Sequence, residues 1–161
     1  MDLLISDTCI LIDLHKGELL EKINELPYNL GVPDAILSEL VEPGEEEILK
    51  SGFDVYSLES EEIIEAFRLN GVYSHPSIVD IFGLVLAKKH EATLLTGDKK
   101  LRIAAKREGV AFKGTLWILD EMIEKEVIDM KTASESLRKI IDEGSYLPKI
   151  ECDKRFEQWK S

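Results

Sequence analysis

The 161 residues are enough for one domain with one core, since a chain of roughly 150 residues buries about two thirds of its extended surface. Hydrophobic residues make up 44 % of the chain, but no apolar run approaches the ~20 residues of a membrane span, and the opening Met1-Asp2-Leu3-Leu4-Ile5 turns polar too early for a signal peptide, so a cytoplasmic protein is expected. A formal charge of -12 excludes a nonspecific nucleic-acid coat, which needs many Lys and Arg contacts to phosphate, although Lys88 to Lys113 holds eight basic residues against three acidic ones, a local +5.

Leu3-Leu4-Ile5 reads as a buried first strand, and Asp7-Thr8 can cap a helix behind it. Leu11, Leu14, Leu19, Leu20 and Ile23 predict two short helical pieces around Gly17. A helix is expected from Pro33, with Asp34 favouring its N-terminal end, a core stripe of Ile36, Leu37, Leu40 and Val41, and Glu39 within it. Pro43-Gly44 breaks that helix before a short acidic one at Glu45-Glu46-Glu47. Phe53, Val55 and Tyr56 suggest a strand. The following amphipathic helix runs through Ile63, Ile64, Phe67 and Leu69 and is expected to stop at Asn70-Gly71.

Ile78 to Ala87 is apolar on nearly every side and too long for a typical strand, so it reads as a centrally packed helix. Its one charged member, Asp80, is costly to bury without compensation. Ala92-Thr93-Leu94-Leu95 is a buried strand ending in Thr96-Gly97-Asp98, with a helix from Lys99 to Arg107. Val110-Ala111-Phe112 predicts a strand, Gly114-Thr115 opens a helix through Ile123, and Lys131 to about Asp142 adds another. Short apolar strands alternating with helices argue for a largely parallel sheet covered on both faces. The expected organisation is a domain over 1–145 and a charged tail over 146–161, docked on the domain or on a partner.

Cys9 and Cys152 form no CxxC pair, and His15, His75 and His90 belong to no HExxH, so a disulfide framework and a zinc site are not suggested. A Walker phosphate loop, a strand-linked GxGxxG and a GxSxG serine motif are all absent from the sequence. Four separated carboxylates stand out instead. Asp7 and Asp98 directly follow apolar strands, and open parallel sheets place their functional crevice beyond such strand ends. Glu39 and Asp80 would approach from helices preceded by prolines. Converging carboxylates repel one another unless a hard cation such as Mg²⁺ or Mn²⁺ joins them. The hydroxyls of Thr8 and Thr96 could hold a carboxylate or a bound water. Local readings stand beside this one: Asp7 suits a helix cap, Asp98 a turn, and Glu39 an ordinary helix surface.

Together Ile5-Ser6-Asp7-Thr8, the segment Val32 to Leu40, Asp80 ahead of Leu84-Val85-Leu86-Ala87, and Ala92 to Arg102 resemble the PIN-domain family of metal-dependent nucleases, in its small VapC-like prokaryotic branch. The resemblance covers about residues 1–125 and includes Gly114-Thr115-Leu116-Trp117-Ile118-Leu119. It implies a three-layer α/β/α sandwich with a mostly parallel central sheet, and an acidic pocket in which Asp7, Glu39, Asp80 and Asp98 hold Mg²⁺ or Mn²⁺ for hydrolysis of RNA. Thr96 would support the fourth position and Thr8 the first, while Cys9 departs from the Asn or Ser common after that Thr. Lys99, Lys100 and Arg102 become candidate RNA contacts. A small antitoxin and a homodimer are the partners such a resemblance implies, and a noncatalytic interaction module is the rival reading.

Overall fold

Alternate residues of the first strand serve opposite faces of one sheet, and this places every layer of the molecule. In the computed structural model, which describes residues 2–160, the chain runs β1 (Leu3–Ser6), α1 (Thr8–Lys16), a 3-10 turn (Leu20–Glu25), β2 (Asn29–Pro33), α2 (Asp34–Glu39), α3 (Glu45–Lys50) and β3 (Phe53–Tyr56). It continues through α4 (Ser60–Val72), α5 (Ile78–Lys89), β4 (Thr93–Leu95), α6 (Lys99–Arg107), β5 (Phe112–Lys113), α7 (Thr115–Glu124), α8 (Met130–Asp142) and α9 (Lys149–Gln158). Met1 and Ser161, the outer ends of the expected domain and tail, lie outside the described residues.

Leu4 and Leu95 enter one buried cluster with Ile10, Leu11 and Leu14 of α1, Ile118 of α7, Leu137 of α8 and Cys152 of α9. Ile5 and Leu94 point the other way, into a cluster with Ala66 of α4, Leu84 of α5 and Leu101 of α6. The period-two alternation therefore yields an α/β/α sandwich. All five strands pair in parallel, in the order β3-β2-β1-β4-β5. At the centre Ile5 lies opposite Gly31, where an added Cβ would come within 2.9 Å of Ile5 Cδ1 and 3.1 Å of Tyr56 Cε2. Among the described residues no helix is long and apolar enough to cross a membrane.

Several local expectations shift. Leu30 and Val32 belong to a strand, β2, which ends at Pro33, so the helix begins at Asp34 and stops at Glu39. Val41, expected in the core stripe, is 87 % exposed beyond the helix end. α4 continues through Gly71 to Val72, and it buries Glu62, Ala66 and Leu69 while Ile63, Ile64 and Phe67 face outward. Small Ala66 suits the close approach of α4 to α5, and the buried Glu62 is matched by the Lys89 ammonium at 2.8 Å. After Gly144 the chain returns to the domain: α9 sinks Cys152 and its C-cap Trp159 into the first cluster.

Candidate metal centre at the sheet switch point

From β1 the chain builds outward through β2 to β3, then crosses to the other side of β1 to lay down β4 and β5. The reversal opens a crevice between the carboxyl ends of β1 and β4, the place where such sheets bind ligands. Asp7 follows β1 directly, and its backbone N–H donates to Leu95 O of β4 at 3.0 Å, which ties the two strand ends together. Asp98 stands three residues beyond β4, its backbone N–H donating to the Thr96 hydroxyl at 3.0 Å.

Three of the helices that begin at this edge, α1, α5 and α6, have an aspartate in the cap of the first turn. Asp7 Oδ1 accepts from Ile10 N at 2.9 Å to open α1, and Asp98 Oδ1 accepts from Leu101 N at 2.9 Å to open α6. Asp80, third in α5, forms a reciprocal capping box with Ser77: its Oδ2 accepts from Ser77 N at 3.3 Å, and its own N–H donates to Ser77 Oγ at 3.1 Å. Capping thus explains the charge at the head of an apolar helix. It also engages one oxygen of each carboxylate, and in Asp7 the other, Oδ2, is left without a hydrogen-bond partner in good geometry among the described residues. A cap and a ligand role are therefore compatible in the same side chain, because the cap fixes its orientation while one oxygen stays open.

Asp7 is the extreme case. It is 2 % exposed, and its Oδ2 is a buried acceptor that no donor reaches in good geometry among the described residues. Burial pushes its pKa up to about 7, with smaller upward contributions from Asp80 and Asp98; the Thr96 hydroxyl and the Ile10 N–H pull it partway back. Asp80 is raised as well, chiefly by burial and further by Asp98, against the two Ser77 bonds. Cys9 has an exposed surface on the first turn of α1, but desolvation of its thiol, followed by the charges of Asp7, Asp80, Asp98 and Asp13, pushes its pKa up to about 12. Such a thiol is a poor nucleophile.

The three aspartates thus sense one another's charge, and Glu39 is the exposed last residue of α2. Thr96 is fully buried between Asp7 and Asp98, and Thr8 is the half-buried first residue of α1. Lys99 and Arg102 lie on one side of α6 beside the Asp98 turn, while Lys100 lines a separate cleft with Tyr73 and His75. Among the described residues no three His, Cys, Asp or Glu side chains are close enough to enclose an ion. The donors nevertheless fit a hard divalent cation. They are oxygens only, one is orphaned in the interior, and Mg²⁺ binds through one or two carboxylates while keeping several waters, so an open arrangement suffices.

A buried network behind the crevice went unnoticed in the sequence. Asp13, 7 % exposed, accepts from the Thr115 hydroxyl at 2.7 Å and the Ser145 hydroxyl at 2.6 Å, joining α1, α7 and the loop before α9. The available signal was a lone carboxylate inside the apolar stripe of α1.

A parallel sheet with three interacting aspartates at its switch point defines a fold class with a carboxylate-lined crevice. The chain belongs to the PIN-domain family, whose model, described as a PIN domain, matches residues 3–161. Among solved structures it is similar to SSO1118, a PilT N-terminus domain protein from the archaeon Sulfolobus solfataricus P2, with 16% identity, 78% of this chain and 93% of that one covered, and a TM-score of 0.52. That likeness supports the fold. It is also similar to VapBC2 from Rickettsia felis, solved bound to a promoter DNA fragment, with 16% identity, 70% and 98% coverage and a TM-score of 0.48. A domain of a functionally unknown protein from Methanocaldococcus jannaschii matches with 23% identity, 71% and 91% coverage and a TM-score of 0.46. No curated protein matches.

Proposed function

We propose that this PIN-domain protein is a ribonuclease dependent on Mg²⁺ or Mn²⁺, in which Asp7, Asp80 and Asp98 hold the cation directly or through its retained waters and Glu39 serves as a further ligand or orients water. The observation that carries this reading is the buried, unpartnered Oδ2 of Asp7 beside two further aspartates. A folded protein keeps such an atom at considerable cost, and a cation is the partner that removes it. When bound, the cation supplies positive charge to the phosphodiester and to the attacking water. The chain supplies orientation: the helix caps hold each aspartate, and Thr96 braces Asp7 and Asp98 from beneath. Glu39 enters on the weakest support, its place in the resemblance, together with its descent from β2, the strand beside β1.

A toxin role with a small antitoxin, or a homodimer, finds support in the outward apolar face of α4, where Ile64 is 70% and Phe67 60% exposed. The same face favours the second reading, a noncatalytic interaction module. Cleavage of an RNA panel with Mn²⁺ or Mg²⁺ decides between them. The native protein should cut in a cation-dependent way, and Asp7→Asn and Asp98→Asn should each lose at least a hundred-fold in rate. Identical, cation-independent products from all three proteins would remove these residues from the chemistry.

A further inference from the structure

A cavity of about 500 Å³ opens beside the Asp98 turn, within the roughly 300–1,000 Å³ of typical ligand sites. Gly97 and Lys99, the chain neighbours of Asp98, both line it, so it adjoins the carboxylate crevice. Three distant segments build the rest: Arg102 from α6; Phe112, Lys113 and Trp117 from β5 and α7; and the stretch from Tyr146, in the loop after α8, into α9, whose Glu151 lines the wall paired to Arg155.

The cations in it are free to bind. Among the described residues Lys99, Arg102 and Lys113 have no carboxylate partner, whereas Arg155 on the same cavity is already held by Asp120 and Glu151. Arg102 is aimed rather than loose, because its Nε donates to Thr96 O at 2.9 Å and its guanidinium lies over the Phe112 ring at 5.3 Å. Gly114 leaves the room it needs, since a Cβ there would collide with Arg102 Nη2. In a chain of net charge -12 these three cations form a local opening through which a polyanion can approach.

The aromatics complete the chemistry. The Tyr146 side chain is 94% exposed and contributes nothing to the core, while the half-buried Trp117 carries the Lys113 ammonium 5.8 Å from its ring centre. Unpaired cations alternating with an exposed ring form the combination that holds single-stranded nucleic acid, with rings stacking on bases and cations tracking phosphates.

We propose that this cavity is a nucleotide seat for single-stranded RNA beside the scissile bond, with Tyr146 stacking on a base and Lys99, Arg102 and Lys113 holding the flanking phosphates. The assignment of RNA rests on the ribonuclease reading. Paired bases cannot offer a face to Tyr146, so the seat selects single strands over duplex.

The test is fluorescence anisotropy of a labelled ten-nucleotide RNA with the full chain in EDTA, at low and fixed salt, where cation-dependent cleavage is off. Tyr146→Ala should weaken binding about ten-fold while Tyr146→Phe binds as the native protein does. Lys113→Ala should weaken it and lower the salt slope by about one, and Lys131→Ala, at the far end of α8, should leave it unchanged. Tyr146 is exposed, so an unaltered melting temperature accompanies its variants. Native protein that fails to bind, a Tyr146→Ala effect below two-fold, or equal binding of a duplex would overturn the seat. Cleavage with no Tyr146 effect on binding would leave the nuclease and remove the seat; Tyr146-dependent binding without cation-dependent cleavage would do the reverse.

Discussion

Replacing Asp7 with asparagine should stabilise the protein in chelator at about pH 8, although it removes a carboxylate from the centre. Burial holds this carboxyl at about 7 against an ordinary 3.8. At about 1.4 kcal/mol per pH unit, ionising it in the folded state costs about 4 kcal/mol. Between 3.8 and about 7 the folded chain retains a proton that the unfolded chain has released, so stability falls as pH rises through that window and levels off above it. Asparagine keeps an oxygen for the Ile10 N–H but buries amide hydrogens short of acceptors, at about 1–3 kcal/mol. The net gain is about 2 kcal/mol at about pH 8, or about 4–8 °C in Tm for a chain of this size, and it shrinks to near zero at about pH 5. Paired thermal melts in EDTA across that range measure it. A difference that does not change with pH, or a variant less stable than native at about pH 8, would refute the burial account of Asp7. Adding Mg²⁺ should then raise the native protein and not the variant, by about 2.7 kcal/mol at a hundred times its Kd.

Two further substitutions examine the scaffold. Thr115→Val deletes the 2.7 Å bond to buried Asp13 and leaves that carboxylate with the Ser145 hydroxyl alone, so the urea midpoint should fall by the equivalent of about 1–3 kcal/mol; an unchanged midpoint would show that water replaces the threonine. Gly31→Ala sets a methyl 2.9 Å from Ile5 Cδ1 and 3.1 Å from Tyr56 Cε2 in the middle of the sheet, so overpacking should cost about 1–3 kcal/mol in the same assay, and Ile5→Val should restore part of it.

Much of the scaffold is local and was legible without coordinates. Strands at Leu3, Phe53 and Thr93, the cap at Asp7, and the helix that starts near Ile78 follow from short apolar runs and capping chemistry, which act between near neighbours in the chain. β2 was less legible, because Gly31 interrupts its apolar run and Pro33 reads as a helix start when it is the last strand residue. The α4 helix shows the limit of periodicity. Ile63, Ile64 and Phe67 announce a helix, but which side of it is buried depends on α5, which takes Ala66 and Leu69 and leaves the larger side chains to solvent.

The carboxylates divide along the same line. Sequence alone determined that Asp7 and Asp98 follow strands and that Asp80 heads an apolar helix. Only the tertiary structure made β1 and β4 neighbours, since that pairing joins residues about ninety positions apart and no local pattern encodes it. It also left Glu39 at an exposed helix end, orphaned one oxygen of Asp7, and gathered Lys99, Lys113 and Tyr146 around one cavity. Conformational preference is set by adjacent residues, whereas desolvation, repulsion and convergence are set by whatever the folded chain brings near, and those decide what these side chains can do.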